Sequence, residues 1–199
     1  MARPRSFDEN RVLDVAREQF WNRGYAATSL SDLVAATGLG KGSLYGAFGD
    51  KRQLFLELLN SYCTEQISHI QQVLASSGTA MERLARLFED VAHSYGTDAQ
   101  RRGCFMVNSA SELRGQDPEV VALARATYQR VEDLLVDRVK EAQQAGALDP
   151  GADARELGRL LLAALQGIEF LAKTNMDTAA LLQIGRTALR QLPSPDRIS

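Results

Sequence analysis

Apolar residues return every three or four positions from Val12 to Leu189, and no stretch alternates strictly between apolar and polar. That spacing lays one apolar face along an α-helix and cannot line one face of a pleated strand. Proline is scarce before the tail at Pro193 and Pro195, so little interrupts the helices. The fold class is therefore all-α, and the punctuation divides it into about nine helices. The first begins at Ser6, with Ser6 and Glu9 as a capping box, and closes at Arg23-Gly24. The second begins at Ser29, with Asp32 in the box position, and stops at Thr37-Gly38. The third covers roughly Gly42–Phe48 and is closed by Gly49. Asp50 and Gln53 cap a fourth that runs to about Ser76. Five more follow at about Thr79–Tyr95, Cys104–Leu113, Pro118–Ala145, Ala152–Lys173 and Thr178–Gln191.

The second and third helices are short, and Gly38-Leu-Gly-Lys41 joins them in a tight turn. That is a helix-turn-helix. A bracing helix precedes it, a basic arm precedes that, and a capped, Lys-bearing helix start follows. The expected organisation is a three-helix DNA-binding domain over residues 6–66, with the motif at about 29–48. A C-terminal helical bundle follows over 67–192. In the third helix Leu44, Ala47 and Phe48 turn inward, leaving Ser43 and Tyr45 outward beside Gly42. Lys41 can reach a phosphate or a guanine edge. Thr28 and Ser29 stand at the N-terminus of the second helix, where amides and the positive dipole end suit a DNA phosphate; Lys51 holds the equivalent place on the fourth. Arg3 and Arg5 fit an arm that enters a minor groove. The same residues have plainer uses: Thr28 and Ser29 as caps, Lys41 and Lys51 as solvated charges, the arm as an unstructured end. Net charge is −2, but residues 1–52 carry eight Lys/Arg against six Asp/Glu, which leaves 15 against 19 for the remainder. The positive charge lies on the side expected of a DNA-binding head.

Other classes fit poorly. Gly40-Lys41-Gly42-Ser43 lacks the earlier glycine and the hydroxyl residue directly after lysine that a phosphate loop needs. No paired carboxylates, Ser/His/Asp set or metal-ligand spacing suggests an enzyme; Cys63 and His69 are six residues apart, which is not a helical ligand spacing. No cofactor or metal is expected. No run is apolar enough for a membrane span and no signal-peptide pattern is present, so the expected setting is the cytoplasm. The two cysteines, Cys63 and Cys104, fit thiols in that setting.

Phe20-Trp-Asn-Arg-Gly-Tyr25, Thr28-Ser-Leu-Ser-Asp-Leu33, Ala36-Thr-Gly38, Gly42-Ser-Leu-Tyr45 and Phe48-Gly-Asp-Lys-Arg-Gln-Leu-Phe55 together resemble the N-terminal domain of the TetR (tetracycline-repressor) family. The match spans about residues 6–66. Arg102-Gly-Cys-Phe-Met-Val-Asn-Ser-Ala-Ser-Glu-Leu113 resembles a segment of an AcrR-like branch. The resemblance implies a homodimeric repressor whose heads read a near-palindromic double-stranded operator and which a small-molecule effector releases. It carries phosphate and base contacts to Thr28, Ser29, Lys41, Gly42, Ser43, Tyr45 and Lys51. Where the family commonly has an aromatic or His after the tyrosine, this chain has Gly46-Ala47, a smaller reading surface.

The eighth helix is apolar nearly all round, from Leu157 to Leu171, and the seventh carries a long apolar stripe. Such helices are buried on two sides, which points to a homodimer through the C-terminal helices, eight with nine or seven with eight. Effector-pocket candidates are Tyr62, Phe88, Tyr95, Cys104, Phe105, Asn108, Tyr128, Gln166 and Phe170, with Glu169 beside them. Cys104 follows Arg101 and Arg102 at a helix start, within possible reach of Lys173. That suggests a thiol sensor of oxidants or electrophiles, while the plainer reading, that Cys104 is a small buried hydrophobe as most lone thiols are, carries more weight.

Overall fold

A computed structural model describes residues 8–195. Among them every regular element is helical: α1 (Glu9–Arg23), α2 (Leu30–Thr37), α3 (Lys41–Phe48), α4 (Lys51–Leu74), α5 (Ala80–Gly96), α6 (Phe105–Leu113), α7 (Pro118–Gln144), α8 (Ala154–Ala172) and α9 (Thr178–Arg190). None of these helices is long and apolar enough to cross a membrane.

The sequence dictates most boundaries through caps. Ser29 accepts from Asp32 N while Asp32 accepts from Ser29 N, closing the expected box on α2. Thr79 and Glu82 do the same for α5, and Asp50 with Gln53 for α4. Asp153 and Asp177 cap α8 and α9. The first helix departs from expectation. Asp8 is its N-cap and accepts from Arg11 N at 3.2 Å, so the cap needs no Ser6. Ser6, like Arg3 and Arg5, lies outside the described residues.

The chain forms two compact units. The first runs to Cys63 and takes back Phe105–Leu123, so α6 and the start of α7 belong with the helix-turn-helix. The second holds Thr64–Cys104 and the chain from Ala124 on. The expected division at 66/67 follows chain order, whereas these compact units interleave along the chain. An aromatic cluster draws α6 to the first. Phe105 meets Phe55 edge-on at 5.9 Å and Tyr62 at 5.7 Å, while Phe55 meets Phe20 at 5.1 Å. Such rings bury large apolar areas and favour edge-to-face pairs.

The second unit buries Leu84, Leu87, Phe88, Leu135, Leu161, Leu165, Ile168 and Leu181. Its α5 packs on both α8 and α9. Gly185 makes this approach possible: a Cβ there would stand 2.9 Å from the Phe88 side chain. Gly158 does the same for α8 on α7, where a Cβ would meet Val136 Cγ2 at 2.5 Å.

Candidate functional site

The reading face of the first unit is built on α3. Leu44 and Phe48 are buried, anchoring the helix one turn apart, while Lys41, Gly42, Ser43, Tyr45 and Gly46 are exposed. Lys41 holds its ammonium 5.8 Å from the Tyr45 ring centroid, so a cation and an aromatic hydroxyl share one patch. Gly42 and Gly46 have nothing within 4 Å of where a Cβ would stand, which leaves the backbone open to a close partner. The helix begins on Gly40 with no side-chain cap, one residue earlier than expected, and has no acid in its first turn. Ser43 N donates to Gly40 O at 3.0 Å, which leaves the Lys41 and Gly42 amides to water or an anion.

The start of α2 is the opposite. The Ser29 hydroxyl donates to Asp32 Oδ2 at 2.6 Å and accepts from Asp32 N at 3.1 Å. Hydrogen bonds from the Ser29 hydroxyl and amide, with Arg23 at 2.6 Å, hold the Asp32 carboxyl down at about 2. Thr28 needs a correction as a phosphate contact. It is fully buried, and Oγ1 donates to Gly24 O at 2.7 Å. Its hydroxyl proton fastens the α1–α2 turn instead of facing outward. Lys51 stacks its ammonium 4.2 Å above the Tyr25 ring, and burial lowers its pKa. It stands at the first turn of α4, half-buried.

A clamp absent from any motif holds this unit together. Glu112 on α6 accepts from Tyr25 N at 2.9 Å and Ala26 N at 2.7 Å. Gly24, at φ +83°, leaves room for it, because a Cβ there would stand 2.8 Å from Glu112 Oε2. At the start of α7, Asp117 takes two bonds from Arg52, at 2.7 and 2.9 Å, and Glu119 takes a third at 2.7 Å. The Arg52 bonds hold the Asp117 carboxyl below its usual range. No periodicity announces these partners, since they join residues 65 to 87 positions apart.

The effector candidates divide between the units. Tyr62 and Phe105 are buried in the aromatic cluster of the first unit, and Asn108 sits on α6 there. Phe88 is sealed in the body core under Gly185, and Tyr95 packs against that core. Phe170 turns outward, 60% exposed. The remaining candidates form a polar chain inside the body. Tyr128 OH donates to Gln166 Oε1 at 2.7 Å, and Glu169 is hydrogen-bonded to both Gln166 and the Cys104 thiol. Burial raises the Glu169 carboxyl to about 7 against the pull of those two bonds, and its Oε2 is sealed with no partner. Arg102 donates from its amide and guanidinium to Asp98, and the Cys104 thiol meets the Glu169 carboxylate. Lys173 does come close, its stem filling the space a Cβ on Gly103 would need. The body also carries an open cleft of about 500 Å³ that none of the named candidates lines; His69, Val73, Arg86, Asp90 and His93 form its walls.

Residues 12–58 match the family described as bacterial regulatory proteins, tetR family, and residues 80–188 match the tetracyclin repressor-like C-terminal domain. The chain belongs to the TetR family. TetR proteins are DNA-binding transcriptional regulators, and their fold is the all-helical one described above. The HTH-type transcriptional repressor ComR of Escherichia coli (strain K12) is 31% identical over 192 residues, covering 96% of this chain and 91% of that one. The uncharacterized HTH-type transcriptional regulator YezE of Bacillus subtilis (strain 168) is 30% identical, covering 89% and 92%. Among solved structures, a cysteine mutant of the TetR family regulator CifR complexed with 26-bp double-strand operator DNA is 32% identical. Its TM-score is 0.83, and the match covers 96% of this chain and all of that one. The reduced form of NemR from E. coli, at 16% identity and a TM-score of 0.83, shares the fold.

Proposed function

We propose that this TetR-family protein is a cytoplasmic, homodimeric repressor that binds a palindromic operator and is released by a small molecule held in its body. The exposed face of α3 carries the reading. Lys41, Gly42, Ser43 and Tyr45 stand outward on a helix whose Leu44 and Phe48 are locked into the core. Ser43 and Tyr45 then read base edges, and Lys41 and Lys51 meet phosphates. That the relative CifR is complexed with operator DNA supports the same role for this chain. Arg3 and Arg5 serve as the minor-groove arm.

Exposed Leu160 and Phe170 support the dimer. They lie on the same side of α8 as the small residues Ala163 and Gly167, a face that a second copy would bury. Selection from a random duplex pool should enrich an inverted repeat, and sedimentation should give a dimer. Leu160→Glu with Phe170→Glu should shift that species to monomer and cost operator affinity. Enrichment of an asymmetric site by a monomeric wild type would refute the proposal. A second reading, in which Cys104 senses oxidants or electrophiles, is favoured by its contact with Glu169 and by Lys173 packed on Gly103.

A further inference from the structure

Four side chains inside the body form one connected polar group, and its geometry points to chemistry. The Tyr128 hydroxyl donates to Gln166 Oε1. That fixes which end of the amide is the acceptor and turns its N–H groups toward Glu169, where the second bond of Gln166 lies. Glu169 is thereby held in place and also takes the Cys104 thiol bond, yet Oε2 is sealed from solvent without a partner. A buried polar atom without a partner costs stability, so its retention calls for a reason. The chain leaves the body for the first unit directly after this thiol, between Cys104 and Phe105.

A standing thiolate is a poor account of the site. A carboxylate against the thiol disfavours a second negative charge on the sulfur. A carboxylate that can accept the thiol proton at the moment of attack suits it better. We propose that Cys104 and Glu169 act as a thiol–carboxylate couple that adds to small, uncharged α,β-unsaturated carbonyl compounds, with Glu169 as proton acceptor and then donor. In the step, Cys104 Sγ forms a bond to the β-carbon while the S–H proton passes to Glu169. The C=C π pair moves to the α-carbon and carbonyl oxygen as an enolate. The proton then returns from Glu169 to the α-carbon, giving the saturated thioether and the original carboxylate. Nothing is oxidised, nothing leaves, and no outside reactant is needed, which separates this class from peroxides. The inference rests on the second reading above, in which Cys104 is the sensor.

Titratable and charged groups stand near the couple on α7, at the end of α8 and in the segment before the thiol. Tyr128 on α7 acts through Gln166, Lys173 ends α8 with its stem on Gly103, and Arg101 and Arg102 precede the thiol, the latter on Asp98. Burial places the Glu169 carboxyl at about 7, far nearer an ordinary thiol than an exposed carboxylate would be.

The test is alkylation of the full-length protein by methyl vinyl ketone, with the Cys104 peptide followed by mass spectrometry from pH 5 to 9. The expected wild-type rate rises through about pH 7, with the ionisation of Glu169. Glu169→Gln should be slower by about a hundredfold at pH 7, with its rise moved to the ordinary thiol range above pH 8, and Glu169→Asp should recover part of the rate. A Glu169→Gln rate equal to or above wild type would overturn the couple, because a carboxylate that only repels the thiolate gives that sign. If Glu169→Gln does not fold, the wild-type profile decides alone: a rise only above pH 8 overturns the couple. Operator binding by the alkylated protein is measured separately. Alkylation at the expected rate with DNA still bound upholds the couple and defeats the sensor reading.

Discussion

In the first unit the polar groups that leave solvent close on one another. Thr28 gives its hydroxyl proton to Gly24 O, Glu112 takes the amides of Tyr25 and Ala26, and Asp117 takes both arms of Arg52. In the body, Glu169 buries an oxygen that nothing meets, and its carboxyl is raised to about 7. The contrast separates a scaffold that must hold one helix face still from a site kept ready to respond. Satisfied networks rigidify, while an unsatisfied group stores a response to protons or ligands.

The largest expected effect tests the body side of this contrast. Because the folded-state value for Glu169 lies above the ordinary one, its contribution to stability is present below about pH 4.5 and is lost as pH rises through about 7. Urea unfolding of wild type should show a loss of up to about 3 kcal/mol from this group between pH 5 and pH 8. Glu169→Gln should remove that loss. A wild type and variant with the same pH dependence would erase the difference between the units.

On the head side, Glu112→Ala strips two backbone amides of their acceptor. It should cost about 2 kcal/mol in the same urea assay. The penalty should match at pH 6 and pH 8, because the lost partners are amides. A penalty that changes strongly across that range would place a titrating group in the clamp.

The smallest effect falls on Thr28. Thr28→Val keeps the shape and loses the hydrogen bond to Gly24 O, at about 1 kcal/mol of stability. It should leave affinity for operator DNA and for random duplex unchanged. A similar loss on both duplexes would show that the Thr28 hydroxyl meets a phosphate after all.

These contrasts also mark what a sequence reading can reach. The helices of the described residues were legible because caps and apolar spacing are local, and Ser29–Asp32, Asp50–Gln53 and Thr79–Glu82 all act within one turn. The face of α3 was legible for the same reason: Leu44 and Phe48, four apart, fix which side turns in. Thr28 was misread because a threonine before a helix looks the same whether its hydroxyl faces outward or back to Gly24 O. The membership of α6 in the first unit and the Glu112 clamp were not legible, since their contacts join residues far apart in the chain. Cys104, Gln166 and Glu169 were each noted as candidates, but the bonds joining them depend on how α7 and α8 stand against the 101–104 segment. Phe170 was read as pocket and Leu160 as part of an apolar helix, and their outward position was decided by packing.

The central claim is that the outward face of α3 reads DNA sequence. It is tested most directly by salt-titrated binding of wild type and Tyr45→Ala to the selected inverted repeat and to random duplex of the same length. The account predicts that Tyr45→Ala loses about 1–3 kcal/mol on the repeat, a tenfold to hundredfold loss, while binding to random DNA hardly changes. Equal losses on both duplexes, or none on the repeat, would contradict it.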